Sequence, residues 1–289
     1  MSENKDWLNK TEYPFQEHYL KLDMGKLHYI DKGKGEPIVF VHGTPVWSFV
    51  WRNQIKLFSK NFRCIAPDHI GFGLSDKPAN WTYTPEAHAQ NLEKLIEHLQ
   101  LTNLTLVVHD FGGPIGLYYA LNHPENVKRV VLLNTWMWSL RGEKNIELAS
   151  KLFSSGFGRF LYKQLNFSAK YILKSAFYDK TKLTPELHKQ YKKALANAAE
   201  RTGTWRLSQE LVASGKWFNS LWEKKEVLKQ KRCLIVWGKH DPLIPFAFLE
   251  KWKQVLPQAK VIELPAGHFI QEEAPDQLNT ALQEFIKNT

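Results

Sequence analysis

The stretch Leu106–Leu121, LVVHDFGGPIGLYYAL, decides how the rest of the chain is read. An apolar run of strand character ends at Asp110, two glycines follow, and a helical pattern begins at once. A strand that turns sharply into a helix needs small residues beside the turn, because its two arms pack closely. Gly112 and Gly113 meet that need, and Val108 takes the less strict position before the turn. The residue at the tip of such an elbow stands above a sheet, where a serine is ordinarily found. Here it is a carboxylate. The helix that follows points its N-terminus at this residue and favours negative charge, so Asp110 is expected to stay ionised at neutral pH despite partial burial. The plainer alternative is an aspartate that merely caps a buried helix.

Outward from the elbow, short apolar runs alternate with helical patterns, as in βαβ units around a parallel sheet. The strand candidates are KLHYID, PIVFVHG, RCIAPD, LTLVVHD, VKRVVLLN, CLIVWG and VIELP. Among the helices, TPEAHAQNLEKLIEHLQ has Thr84 as N-cap and Pro85 at the first helical position. Its Leu92, Leu95, Ile96 and Leu99 fall on one face. After VVLLN the alternation stops, and from about Thr135 to Gln230 only helical segments follow. Of these, TPELHKQYKKALANAAERT is the clearest. Strands resume at Cys233. The expected organisation is an α/β core of residues 1–134 and 231–289, with a helical cap, residues 135–230, inserted between two strands and lying over the elbow as a lid.

At 289 residues the chain is long enough for one large core with an insertion. No apolar run approaches the roughly 20 residues that span a bilayer. The opening MSENKDWLNKTEYPF is polar and of mixed charge, unlike a secretory leader. Cys64 and Cys233 lie in strand-like runs, which suggests buried thiols in a reducing compartment and hence the cytoplasm. The net charge of +10 is uneven: Ser139–Arg232 carries 20 Lys and Arg against 8 Asp and Glu. Without a nucleic-acid motif, these basic residues read as solvated helix faces, and neither nucleic acid nor membrane is an expected partner.

Three further segments complete the elbow. His268 lies in LPAGHFIQEEAP after the last strand, where a loop can return its imidazole over Asp110. Asp241 lies in VWGKHDPLIP directly after another strand, where it can orient that imidazole and offset its charge. The chain order is nucleophile, acid, histidine, the order of α/β-hydrolases. Asn134, at the end of the strand before the cap, occupies the competing place for the acid but cannot carry the charge. In FVHGTPVWSFVWR, the HG turn after a strand assigns the backbone N–H groups of Thr44 and Phe111 as oxyanion-hole donors, with Gly43 permitting close approach. His42 and His109 read as local structure.

Together, HGTPVWSFVWR, APDHIGFGLSDKP and VVHDFGGPIGL resemble the aspartate-nucleophile branch of the α/β-hydrolase superfamily, above all the haloalkane dehalogenases and also the epoxide hydrolases. The resemblance covers most of the chain outside the cap. It implies the α/β-hydrolase fold, a mostly parallel central sheet flanked by helices, and a triad of Asp110, His268 and Asp241. Chemistry narrows the activity independently. A carboxylate attacking an ester would yield a reactive anhydride, whereas attack on an sp³ carbon yields an ordinary alkyl ester. Water deprotonated by His268 then cleaves that ester. The expected reaction is hydrolysis of a carbon–halogen bond to alcohol and halide; epoxide hydrolysis and β-lactone decarboxylation use the same triad.

Dehalogenases of this type usually place tryptophan after the nucleophile and asparagine after HG, or a second tryptophan in the cap. Here Phe111 and Thr44 stand at the first two positions, so Trp47, Trp136 and Trp138 are the candidates for substrate or halide contacts. An epoxide hydrolase would call on two cap tyrosines, drawn from Tyr162, Tyr171, Tyr178 and Tyr191. No metal or organic cofactor is expected. The expected partners are a small apolar substrate and water, in a monomer or small homo-oligomer.

Overall fold

The computed structural model of the chain describes residues 5–287. Its strands are β1 His18–Leu22, β2 Gly25–Lys32, β3 Pro37–Val41, β4 Arg63–Pro67, β5 Leu104–His109, β6 Val127–Leu133, β7 Arg232–Gly238 and β8 Lys260–Leu264. They form one sheet in the order β1-β2-β4-β3-β5-β6-β7-β8. β2 pairs antiparallel with both β1 and β4, and every other neighbouring pair is parallel. This is the α/β-hydrolase arrangement that the elbow implied.

β3 and β5 are buried along their whole length because helices cover both faces of the sheet. Successive side chains alternate between two apolar layers. Leu106, Val108, Val130, Leu132 and Ile235 enter one; Val107, Val131, Leu133, Leu234 and Val236 enter the other. The seven expected strands are all present, and β1 is an addition. Its sequence HYLKL alternates half-buried with exposed positions and has no buried residue, so it lacks the apolar run that marks the others. Asp23 and Met24 turn it onto β2, with Leu22 opposite Gly25.

The helix Pro85–His98 begins as its sequence indicates, with Thr84 Oγ1 accepting the Ala87 N–H at 3.2 Å. The helix starting at Pro185 is capped in the same way by Thr184, but it stops at Lys193. The rest of TPELHKQYKKALANAAERT leaves the helix because Asn197 Oδ1 accepts the N–H groups of Ala199 and Glu200. Arg201 meanwhile donates to the carbonyls of Leu195 and Ala196. These side chains satisfy backbone groups that a continuous helix would have paired internally.

Between β6 and β7 the chain is helical, and among the described residues no strand falls there. The longer helices of this insertion are Lys144–Ser154, Gly156–Leu165, Pro185–Lys193, Thr202–Ala213 and Gly215–Glu223. Among the described residues no helix is long and apolar enough to cross a membrane. Cys64 and Cys233 are buried and free, and burial pushes both thiols above the usual range.

Candidate active site

Asp110 follows β5 directly and has φ +54°, the left-handed conformation that a non-glycine residue adopts only under constraint. The surroundings supply that constraint. Its N–H donates to Asn134 O at 3.2 Å, and its carbonyl accepts Gly113 N–H at 2.9 Å and Thr135 Oγ1–H at 2.6 Å. A side chain at Gly113 would collide with Thr135, and one at Gly43 would collide with the Asp110 carboxylate. The two glycines are therefore needed for close approach rather than for backbone freedom.

The carboxylate is held asymmetrically. Oδ1 accepts the Thr44 N–H at 2.8 Å, and the Phe111 N–H also bonds the carboxylate. Oδ2 lies 3.5 Å from His268 Nε2, longer than a hydrogen bond. Burial opposes ionisation of Asp110, but His268 and the backbone donor outweigh it and hold its pKa below the usual carboxylate value. Thr44 and Phe111 thus stand where the sequence put them, with their backbone N–H groups on the elbow carboxylate.

His268 sits in the loop after β8, fully buried. Its Nδ1 bonds Asp241 Oδ2 at 2.7 Å. Burial disfavours the imidazolium, yet the charges of Asp241 and Asp110 push its pKa up to about 10. In the resting site it is a cation between two carboxylates. Asp241 itself is oriented by the N–H groups of Leu243 and Ile244 at 2.7 and 3.0 Å, both to Oδ1, and by Asn134 Nδ2 at 2.7 Å to Oδ2. Asn134 is in turn fixed by β7, where its Oδ1 accepts Gly238 N–H at 2.8 Å. The structure therefore brings Asp110, His268 and Asp241 together in one chain of contacts.

Several residues support these contacts; the sequence marks His109 only as local structure and does not mark the others. His109 Nε2 bonds the His268 carbonyl at 2.8 Å, and the two rings lie 4.5 Å apart. Burial, with the His268 charge adding to it, lowers the His109 pKa to about 3, so it packs as a neutral ring. Asp68 is buried and accepts from His28 Nδ1, Ser48 N–H and Leu74 N–H, which ties the loop after β4 to the segment following Thr44. The two glutamates after HFIQ clasp the histidine loop. Glu273 accepts the N–H groups of Gly267, Tyr178 and Asp179 at 2.9 Å each. Glu272 takes a bidentate pair from Arg52 at 2.5 and 2.9 Å and a hydrogen bond from the Tyr191 hydroxyl. The core, the helical insertion and the histidine loop meet at these carboxylates. The only signal in the sequence was a pair of acids in an otherwise apolar run.

The three candidate tryptophans separate. Trp136 meets the Phe111 ring edge-on at 5.0 Å, and its Nε1 is buried without a partner. Trp47 packs among Trp7, Tyr13 and Phe49, its Nε1 likewise unpartnered. Trp138 instead packs with Trp222, Phe248 and Trp252 beneath the Lys251 ammonium, as part of an aromatic cluster. Thr44 Oγ1 is also buried and unpartnered. Of the tyrosines, Tyr171 and Tyr178 are more than half exposed, Tyr191 is committed to Glu272, and Tyr162 is buried against Phe153 and Phe167. Among the described residues no group of His, Cys, Asp and Glu is arranged to hold a metal.

Residues 36–275 match the protein family described as the alpha/beta hydrolase fold. The chain is an α/β-hydrolase. It is 35% identical over 96% of its length to a cis-3-alkyl-4-alkyloxetan-2-one decarboxylase from Shewanella oneidensis, covering 91% of that protein. It is 32% identical over 94% of its length to haloalkane dehalogenase 2 from Mycobacterium tuberculosis, covering 95% of that protein. Among solved structures, haloalkane dehalogenase DbeA from Bradyrhizobium elkani superposes with a TM-score of 0.85 at 24% identity, over 95% of this chain and 98% of that one. This α/β-hydrolase is haloalkane dehalogenase-like, as its elbow motif implied.

Proposed function

We propose that this α/β-hydrolase uses Asp110 to displace a leaving group from an sp³ carbon, with carbon–halogen hydrolysis as its overall reaction. The carrying observation is the asymmetric carboxylate: Oδ1 is engaged by Thr44 N–H, whereas Oδ2 faces His268 without a hydrogen bond. Oδ2 attacks carbon, the halide leaves with the bonding pair, and an alkyl ester forms. Esterification removes the Asp110 charge, one of the two that hold His268 protonated, so its pKa falls, it releases its proton to solvent and it becomes a base for water. Water adds to the ester carbon as His268 takes its proton. The oxyanion develops on Oδ1, where the Thr44 and Phe111 N–H groups stabilise it. Collapse expels the alkoxide, which leaves as the alcohol with the hydroxyl proton, restores the carboxylate and returns His268 to its resting cation.

The unpartnered Trp136 Nε1 and Thr44 Oγ1 support stabilisation of a leaving halide. The exposure of Tyr171 and Tyr178 and the engagement of Tyr191 by Glu272 weigh against epoxide opening. The helices of residues 135–230 act as the lid over a small apolar substrate. Two free buried cysteines support a cytoplasmic location.

Phe111 favours a second reading, β-lactone decarboxylation, because its side chain offers no donor to a halide. The Shewanella relative carries that activity in its name, and the reaction too begins with carboxylate attack on an sp³ carbon. Incubation with bromo- and chloroalkanes tests the first reading: the wild type releases halide and Asp110→Asn does not. Carbon dioxide from a cis-disubstituted β-lactone, with no halide from any haloalkane, would establish the second.

A further inference from the structure

The helical insertion carries an apolar face turned away from the core. Leu148, Leu152, Phe157, Phe160, Leu165 and Tyr171 are all exposed, Leu148 to 70% and Phe157 to 61%. Leu148 and Leu152 are four apart on the helix Lys144–Ser154, and Phe157 and Phe160 are three apart on Gly156–Leu165. Such spacings place each pair on one side of its helix. The same helices bury Ser150, Gly158 and Tyr162. Phe167 joins the segments, with its ring 6.3 Å from Phe153 and 5.5 Å from Tyr171.

Charge follows the same stretch. No acid occurs between Glu147 and Asp179, whereas Lys151, Arg159, Lys163, Lys170 and Lys174 do. Among the described residues none of these five enters a salt bridge. Arg159, Phe160 and Lys163 line an open groove of about 530 Å³. Arg159 and Arg206 lie over the Trp205 ring, at 5.5 and 4.8 Å from its centroid.

The basic residues alone read as a solvated face. The interleaved phenylalanines and leucines do not, because solvation leaves such apolar surface unexplained. A second copy of the chain would set like charges against each other. A bilayer with anionic headgroups answers both features: phosphates meet the Lys and Arg heads while Phe and Leu enter the acyl boundary. We propose that the face built from residues 148–174 docks this enzyme on an anionic phospholipid bilayer. Docking is peripheral, through side chains, and places the lid beside a phase in which apolar substrates concentrate.

Sedimentation with vesicles tests this, using phosphatidylcholine alone and an equal mixture with phosphatidylglycerol. The wild type is expected to bind the anionic vesicles at low salt, to bind phosphatidylcholine far more weakly, and to detach as salt rises. Lys151→Gln, Lys170→Gln and Lys174→Gln should each weaken partitioning roughly fivefold. Phe157→Ser combined with Phe160→Ser should weaken it at least about tenfold. Unchanged thermal melting shows that these surface variants fold. No sedimentation with anionic vesicles at low salt overturns the proposal, and so does equal binding by all variants. A concentration-dependent dimer abolished by the double Phe variant, or saturable capture of an acidic protein without vesicle binding, reassigns the face and overturns it as well.

Discussion

Asn134 Nδ2 donates to Oδ2 of Asp241 at 2.7 Å, and that same oxygen receives His268 Nδ1 at 2.7 Å. Asn134 stands at the end of β6, and Asp241 follows β7, its neighbour in the sheet. The residue at the competing place for the acid thus serves the acid that is present. Asn134→Ala removes one donor from a buried carboxylate and leaves the imidazole partner free to turn. Turnover is expected to fall about ten- to a hundredfold, because a hydrogen bond to a charged group contributes roughly 1.5–3 kcal/mol. Steady-state halide release measures it, with KM little changed.

The charge on His268 should depend on Asp110. Its folded pKa of about 10 lies above the unfolded value near 6.5, so its contribution to stability is complete below about pH 6.5 and disappears as pH rises through about 10. Asp110 has the opposite sign: its depressed pKa contributes above the unfolded value near 3.9, and that contribution is lost in acid. Denaturation curves from neutral to alkaline pH should show the His268 decline, with a shallower slope in Asp110→Asn. NMR titration of the imidazole should place its pKa lower in that variant, which mimics the uncharged ester. An unmoved pKa would contradict the proposed switch from acid to base.

His268→Gln should stop the reaction half-way. The alkyl ester on Asp110 accumulates, one equivalent of halide is released per enzyme, and turnover ceases. Intact-mass spectrometry reads the added alkyl group, and peptide mapping assigns it to Asp110.

Trp136→Phe keeps the edge-on packing against Phe111 and removes the buried Nε1. If that N–H serves the leaving halide, halide release slows by roughly tenfold or more. Melting temperature should change little, which separates this outcome from a packing defect.

Glu272→Gln tests the clasp behind the histidine loop. It leaves the buried Arg52 guanidinium with only the Glu12 carboxylate, 3.4 Å from its Nε, so the loss should be about 3 kcal/mol, the low end for broken buried pairs. Tyr191→Phe removes one neutral donor to the Glu272 carboxylate and should cost about 1.5 kcal/mol, the low end for a hydrogen bond to a charged group. Chemical denaturation distinguishes the two.

Local sequence was enough to identify the elbow, the strands from β2 to β8, and the order of the candidate triad. These follow from features that act within a few residues: apolar runs, glycines at a tight turn, and a Thr-Pro helix start. The limits were equally physical. β1 is an edge strand without an apolar run, and the helix from Pro185 ended early because Asn197 and Arg201 capture backbone groups that propensity assigns to a helix.

What the sequence by itself determined is an α/β-hydrolase elbow with a carboxylate at its tip, followed in the chain by an acid and a histidine in the matching order. Only the tertiary structure decided how that carboxylate is divided between backbone donors and His268, and which neighbours hold Asp241. It also separated Trp136, packed against Phe111, from Trp138 in an aromatic cluster with Trp222, Phe248 and Trp252, and turned leucines and phenylalanines of the helical insertion outward. Each of these depends on groups far apart in the chain, whose distances and burial no local pattern encodes.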